Sequence, residues 1–226
     1  MFRLIVLILT FSAFACGQPA FKPSKEEQTK AYSQVKAEFE GVITYSILAR
    51  SKNYNAFSDD EIQSNFGDSV IVYYKKGKLR MTFNGKDLNE VYYFSDSNLE
   101  YTLRNGIDTL FFGDCSQAID KFEKLTRFDT QEKLLGLECK GVEIKSNIST
   151  RTYLYSENYF VNPKYFQNYH SGNLDKYYAN AQAPFLSYVY DGTAFQTSYR
   201  AIKLESKQLD DHIFELPSLP KEKFIK

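Results

Sequence analysis

Three short runs limit what this chain can fold into: Val70-Ile71-Val72-Tyr73-Tyr74, Val91-Tyr92-Tyr93-Phe94 and Tyr188-Val189-Tyr190. In each, β-branched and aromatic residues stand at consecutive positions. Extended backbone sends successive side chains to opposite faces, so these runs are apolar on both. A sheet built from them has no face to give to water. It needs cover on both sides, or a hollow on one.

Around these runs the period is two. Phe39, Gly41, Ile43, Tyr45 and Ile47 alternate with Glu40, Thr44 and Ser46. Leu79, Met81 and Phe83 alternate with Arg80 and Thr82, and Leu99, Tyr101 and Leu103 with Glu100 and Thr102. Lys76-Gly77, Asn84-Gly85, Asn105-Gly106 and Asp191-Gly192 punctuate the pattern as turns. Asn-Gly is a strong hairpin signal because the central residues of a tight hairpin turn need positive φ. Strands are also expected over 107–112, 138–145, 150–155, 185–190 and 195–204. A short closing strand over 212–216 ends at Pro217. In 195–204 the apolar phase slips from Phe195 and Tyr199 to Ile202 and Leu204, which implies a bulge.

Short helices are expected from the Ser24–Glu27 and Ser58–Glu61 capping boxes, the second running to about Phe66. Another is expected near Gln117–Leu125. Residues 157–183 are polar and aromatic without period, long for a structureless loop, which suggests a functional loop or a lid with local helix. The expected fold is mainly β: an open antiparallel half-barrel of about eleven strands, with short helices over its concave face.

The N-terminus addresses the chain to export. Arg3 precedes a nearly unbroken apolar run from Leu4 to Phe14, and Ala13-Phe14-Ala15 ends in small residues. The run is too short to span a bilayer and has the layout of a secretory signal, 1–15. Cys16 follows directly, in the position of a lipoprotein acylation site, although Ala13 replaces the usual Leu. Two readings of that cysteine stand: a lipid-anchored N-terminus, or a plain cleavage site followed by a cysteine. Acylation would hold the protein at a membrane. Residues 16–24 then form the anchor tether, and 25–226 a single domain.

Composition excludes some partners. The chain has 28 basic and 28 acidic residues, so nothing favours nucleic acid. Its 18 Tyr and 19 Phe suit strands, and the absence of Trp weakens a sugar-stacking role. In an oxidising compartment Cys115 and Cys139 are expected to pair as a disulfide, worth about 3 kcal/mol by closing its loop.

Catalytic patterns are sparse. His170 beside Ser171 lacks any G-x-S-x-G elbow. Asp210-Asp211-His212 reads as a polar turn rather than a metal site. Asp59-Asp60-Glu61 suits a helix N-terminus. No cofactor fingerprint is present. The most regular alternating faces nominate Tyr45, Met81, Phe83, Leu99 and Tyr101 as the lining of an apolar cleft.

Several segments together resemble a known family. Phe39-Glu40-Gly41-Val42-Ile43-Thr44-Tyr45, Lys76-Gly77-Lys78-Leu79-Arg80-Met81, Leu135-Gly136-Leu137-Glu138-Cys139-Lys140 and Phe214-Glu215-Leu216-Pro217 occur in order. They resemble the strands of a family of exported bacterial proteins of unknown function, itself similar to the lipoprotein-carrier superfamily of LolA and LolB. That family has Gly-Tyr-Lys-Cys where this chain has Gly136-Leu137-Glu138-Cys139. The resemblance implies a half-barrel with an apolar concave face. The expected protein is a non-enzymatic envelope lipoprotein on the periplasmic side, outer-membrane anchored, binding lipid or another apolar ligand. The alternative is a structural or adaptor lipoprotein acting on an envelope protein partner.

Overall fold

A computed structural model describes residues 36–118 and 120–224. The export signal, Cys16, the tether and the Ser24-capped helix lie outside the described residues. In chain order the elements are β1 (Gly41–Ser51), α1 (Asp59–Phe66), β2 (Ser69–Lys75), β3 (Lys78–Phe83), β4 (Leu88–Phe94), β5 (Leu99–Arg104) and β6 (Leu110–Asp114). There follow β7 (Phe122–Leu134), β8 (Leu137–Ser146), β9 (Ser149–Tyr155), α2 (Leu174–Ala181), β10 (Phe185–Gly192), β11 (Phe195–Ser206) and β12 (Lys221–Lys223).

All twelve strands join one open sheet in the order β12-β6-β5-β4-β3-β2-β1-β11-β10-β9-β8-β7. Two antiparallel meanders meet where β1 pairs with β11, and only β12 runs parallel to its neighbour β6. The doubly apolar runs lie in β2, β4 and β10, inside the sheet rather than at its edges. Ser58 caps α1 as expected: its hydroxyl accepts from the Glu61 amide, and the Glu61 carboxylate accepts from the Ser58 amide at 2.7 Å.

The strand count differs from the expected eleven at three places. Where a helix is expected near Gln117–Leu125, the residues from Phe122 onward begin β7, an edge strand with charged side chains on both faces and hence little apolar period. The strand expected at 212–216 is a 3-10 turn over Asp211–Phe214, capped by Asp210. The closing strand is β12, further along. The bulge in β11 is present: the register against β1 shifts so that Ile202 is passed over, and its side chain is 56% exposed.

Turn chemistry also departs from expectation. Both central residues have positive φ at Lys76-Gly77 and at Leu135-Gly136, the tips of the β2–β3 and β7–β8 hairpins. At Asn105-Gly106 only the glycine does, and at Asn84-Gly85 neither does.

Over β1–β4 both faces of the sheet are covered. The register puts Ile43, Tyr45, Val70, Val72, Tyr74, Leu79, Met81, Phe83, Tyr93 and Tyr153 on one face, here called inner. Residues 156–184, which include α2, pack on it. On the outer face of β1–β4 runs a C-terminal strap. Leu209, Ile213 and Phe214 pack there on Val42, Ile71, Tyr73 and Phe94. Lys75 Nζ donates to the Leu209 carbonyl at 2.6 Å, and Arg80 to the Ile213 carbonyl at 2.9 Å. Arg80 also lies over the Tyr73 and Tyr92 rings, and it pairs with Glu90. The strap ends in β12, which pairs with β6.

Gly41 pairs with Ser206 at the start of β1, close against β11. A Cβ there would lie 2.1 Å from the Glu205 carbonyl oxygen, a backbone atom that cannot swing aside. Gly41→Ala is therefore expected to lower stability by about 2–4 kcal/mol. Gly113 meets nothing within 4 Å, so Gly113→Ala should change stability by less than about 1 kcal/mol. Chemical denaturation of both variants checks the contrast.

Candidate functional site

The segment 156–184 leaves the sheet at the end of β9 and returns at the start of β10. Tyr155 and Phe185, its two flanking residues, pair directly across those neighbouring strands. The segment is closed on itself where the Val161 amide donates to the Gln182 carbonyl at 2.8 Å. Asn162 caps a 3-10 turn, Pro163–Phe166, through a bond from the Lys164 amide. A second 3-10 turn, Ser171–Asn173, leads into α2.

Its inward side chains are aromatic. Phe166 stacks on Tyr178 with ring centroids 3.8 Å apart, Tyr169 on Tyr93 at 4.3 Å, and Tyr177 on Tyr153 at 4.3 Å. The rings fill the space above the sheet. Tyr45, Tyr74, Tyr153, Tyr177 and Tyr178 are each no more than 2% exposed. Two of their hydroxyls have built-in acceptors: Tyr45 donates to the Phe185 carbonyl at 2.6 Å, and Tyr177 to the Ala183 carbonyl at 3.0 Å. Burial pushes all five phenols well above their usual range.

Polar ties anchor the cover at several places. Beneath the start of α2, Arg151 pairs with Asp120 at the inner face, and Asn173 donates to the same carboxylate at 3.1 Å. The Arg151 guanidinium also lies 5.2 Å from the Tyr190 ring. Toward β5, the Tyr169 hydroxyl donates to the Glu100 carboxylate. Burial pushes the Glu100 carboxyl up, and that hydrogen bond offsets part of the effect. The His170 and Ser171 amides both donate to the Cys115 carbonyl. Each tie satisfies groups that would otherwise be costly to bury.

The five nominated lining residues do not share a face. Tyr45, Met81 and Phe83 are on the inner face. Glu100 and Thr102 are the residues of β5 that point the same way, so Leu99 and Tyr101 lie on the outer face. There Tyr101 meets Phe94 and Phe112, with Lys221 of β12 above its ring. Parity identified each strand's apolar side, but only the register between strands says which sides coincide.

The expected Cys115–Cys139 disulfide is not formed. Cys115 is buried near Tyr93 and Tyr169, whereas Cys139 lies near Leu134 in the region of Glu132 and Arg200. His170 contacts Asp175 at 3.1 Å, and His212 contacts Glu215 at 2.6 Å, in separate places. Among the described residues no group of three His, Cys, Asp or Glu side chains is placed to hold a metal ion.

A polar groove lies beside the cover, between the β7–β8 hairpin and the first residues of the segment. Its larger part holds about 470 Å³ and is lined by Asp129–Lys133, Glu138–Lys140 and Ser156–Asn158. A smaller part of about 240 Å³ adds Arg127, Tyr155 and Asn180. Lys140 Nζ pairs with Glu157 at 2.9 Å across it. Arg127, Asp129 and Arg151 escaped sequence reasoning: they are ordinary charges on strands, and nothing in their spacing marks them.

No protein-family model matches the chain, and no curated protein matches it. Two crystal forms of PNGF-II are similar to it over 82% and 81% of its length, at 11% identity and TM-scores of 0.47 and 0.44. The chain spans about a third of those proteins, 32% and 31%. The LolA superfamily protein NE2245 from Nitrosomonas europaea is similar over 81% of this chain and 93% of its own, at 7% identity and a TM-score of 0.37. At these levels of likeness the function of neither protein transfers to this chain.

Two measurements check the packing of the cover. Phe166→Ala should cost about 3–5 kcal/mol, because its ring is fully buried between α2 and Tyr93. The tyrosine cluster should also set the alkaline limit of stability. A phenol whose folded pKa lies above its unfolded value, about 10, stabilises the fold fully below that pH. That contribution is lost as pH rises through the folded value. In an absorbance titration the buried phenols should ionise together with unfolding, not as independent groups.

Proposed function

We propose that this chain is a non-enzymatic envelope protein, tethered through Cys16 after removal of residues 1–15, that holds lipid or another apolar ligand against the inner face of its sheet. The cover is the part that yields. One observation carries the reading: the rings stacked on Tyr93 and Tyr153 of the inner face belong to a single excursion whose two ends spring from paired neighbours, Tyr155 and Phe185. Such a segment lifts without breaking the ladder beneath it. No helix among the described residues is long and apolar enough to cross a membrane, so attachment falls to the acylated cysteine. Tyr45, Met81 and Phe83 are the residues the ligand would meet on lifting of the cover.

A second reading has its own support. The interior rings are already in contact at 3.8–4.3 Å, as in a finished core. A chain with that core would act as a structural or adaptor lipoprotein through its surface.

Native mass spectrometry of the protein extracted from membranes separates the two. The ligand reading expects diacyl mass on Cys16, co-purifying lipid and binding of a fluorescent fatty acid. It also expects faster amide hydrogen exchange across 156–184 in the presence of that fatty acid, with β1–β3 unchanged. A lipid-free protein that ignores the fatty acid, with unaltered exchange, leaves only the adaptor.

A further inference from the structure

The polar groove holds two charges that make no ion pair among the described residues. Arg127 and Asp129 are alternate residues of β7, so their side chains leave the same face about 6.6 Å apart. Register against Val142 and Lys140 places both on the inner side, facing the cover. Among the described residues Arg127 makes no ion pair; its guanidinium is held by Asn180 of α2, through Nε at 2.9 Å. Asp129 makes neither a hydrogen bond nor an ion pair among the described residues. The neighbouring charges are spent: Lys140 on Glu157, Lys133 on Glu138, and Glu132 on Arg200.

An unpaired cation and an unpaired anion, side by side on one strand face, form a dipole that an opposed dipole completes. A plain anion would be drawn to Arg127 and repelled by Asp129, and a plain cation the reverse. A ligand carrying both charges, a short link apart, satisfies both at once. Volume agrees, since the two parts of the groove together fall within the range of small-ligand sites. Position narrows the class further. Ser156, Glu157 and Asn158 form one wall, and they are the first residues of the cover. A group seated here lies at the mouth of the inner face.

We infer that the groove binds a zwitterionic phosphate–amine headgroup of the phosphoethanolamine kind, phosphate toward Arg127 and ammonium toward Asp129. This rests on the reading that the inner face takes an apolar ligand, and it names which one: an amine-bearing phospholipid, headgroup in the groove and acyl chains under the cover.

Calorimetric titration of the purified protein with glycerophosphoethanolamine, glycerophosphoglycerol, inorganic phosphate and ethanolamine tests the site without any acyl chain. Glycerophosphoethanolamine should bind at least ten-fold more tightly than the other three. Asp129→Asn, nearly isosteric and at a side chain without a partner, should remove that preference, and Arg127→Gln should weaken binding at least ten-fold while Arg127→Lys keeps most of it. Asp129→Asn should leave binding of a fluorescent fatty acid unchanged. Equal binding of inorganic phosphate and glycerophosphoethanolamine overturns the inference and leaves a simple anion site. So does fatty-acid binding with no headgroup binding. Headgroup binding without fatty-acid binding upholds the groove and instead removes the acyl chains from beneath the cover.

Discussion

A sheet that is apolar on both faces cannot stand in water on either, and the structure follows from meeting that demand twice. At roughly 25 cal/mol per Å² of apolar surface, either bare face would outweigh the small net stability of a domain of this size. The chain answers with two long connections. Residues 156–184 cover the inner face, and the strap from about residue 207 covers the outer face of β1–β4. Neither cover is a regular layer of long helices. Each is irregular chain pinned by a few aromatic anchors and by hydrogen bonds to backbone carbonyls.

The two covers differ in how they are held. The outer strap is fastened along its length by cationic side chains of the sheet, Lys75, Lys78 and Arg80, and closes by adding β12 to the edge. Its removal would expose β6 as well as the face. The inner cover is fastened by stacked rings and by polar ties that include Arg151–Asp120–Asn173, Glu100–Tyr169 and Arg127–Asn180. It contributes no strand to the sheet, and its ends meet on paired residues. That asymmetry is why the inner face, rather than the outer, is the side on which a ligand is proposed.

Much of this was legible in the chain. Ten of the expected strands are present, because their period-two patterns and turn glycines are local signals. The β11 bulge was visible as a slipped phase at Ile202, and the α1 cap as Ser58 and Glu61. The misses share a cause. The edge strand β7 carries charge on both faces, as a strand with one neighbour can, so it shows no apolar period. The segment 212–216 alternates weakly, but Asp210 caps it into a 3-10 turn that drops Phe214 onto Val42.

The sequence by itself determined that the fold is mainly β, that its sheet is apolar on both faces, and that long connections must cover it. These properties belong to side-chain identity and spacing along one strand at a time. Only the tertiary structure decided which faces coincide, and so separated Leu99 and Tyr101 from Tyr45, Met81 and Phe83. It alone set Cys115 and Cys139 in different surroundings, filled the inner side with tyrosines, and left Arg127 and Asp129 unpaired in one groove. Those outcomes depend on register between strands distant in sequence, and register is fixed by the packing of the whole sheet against its two covers.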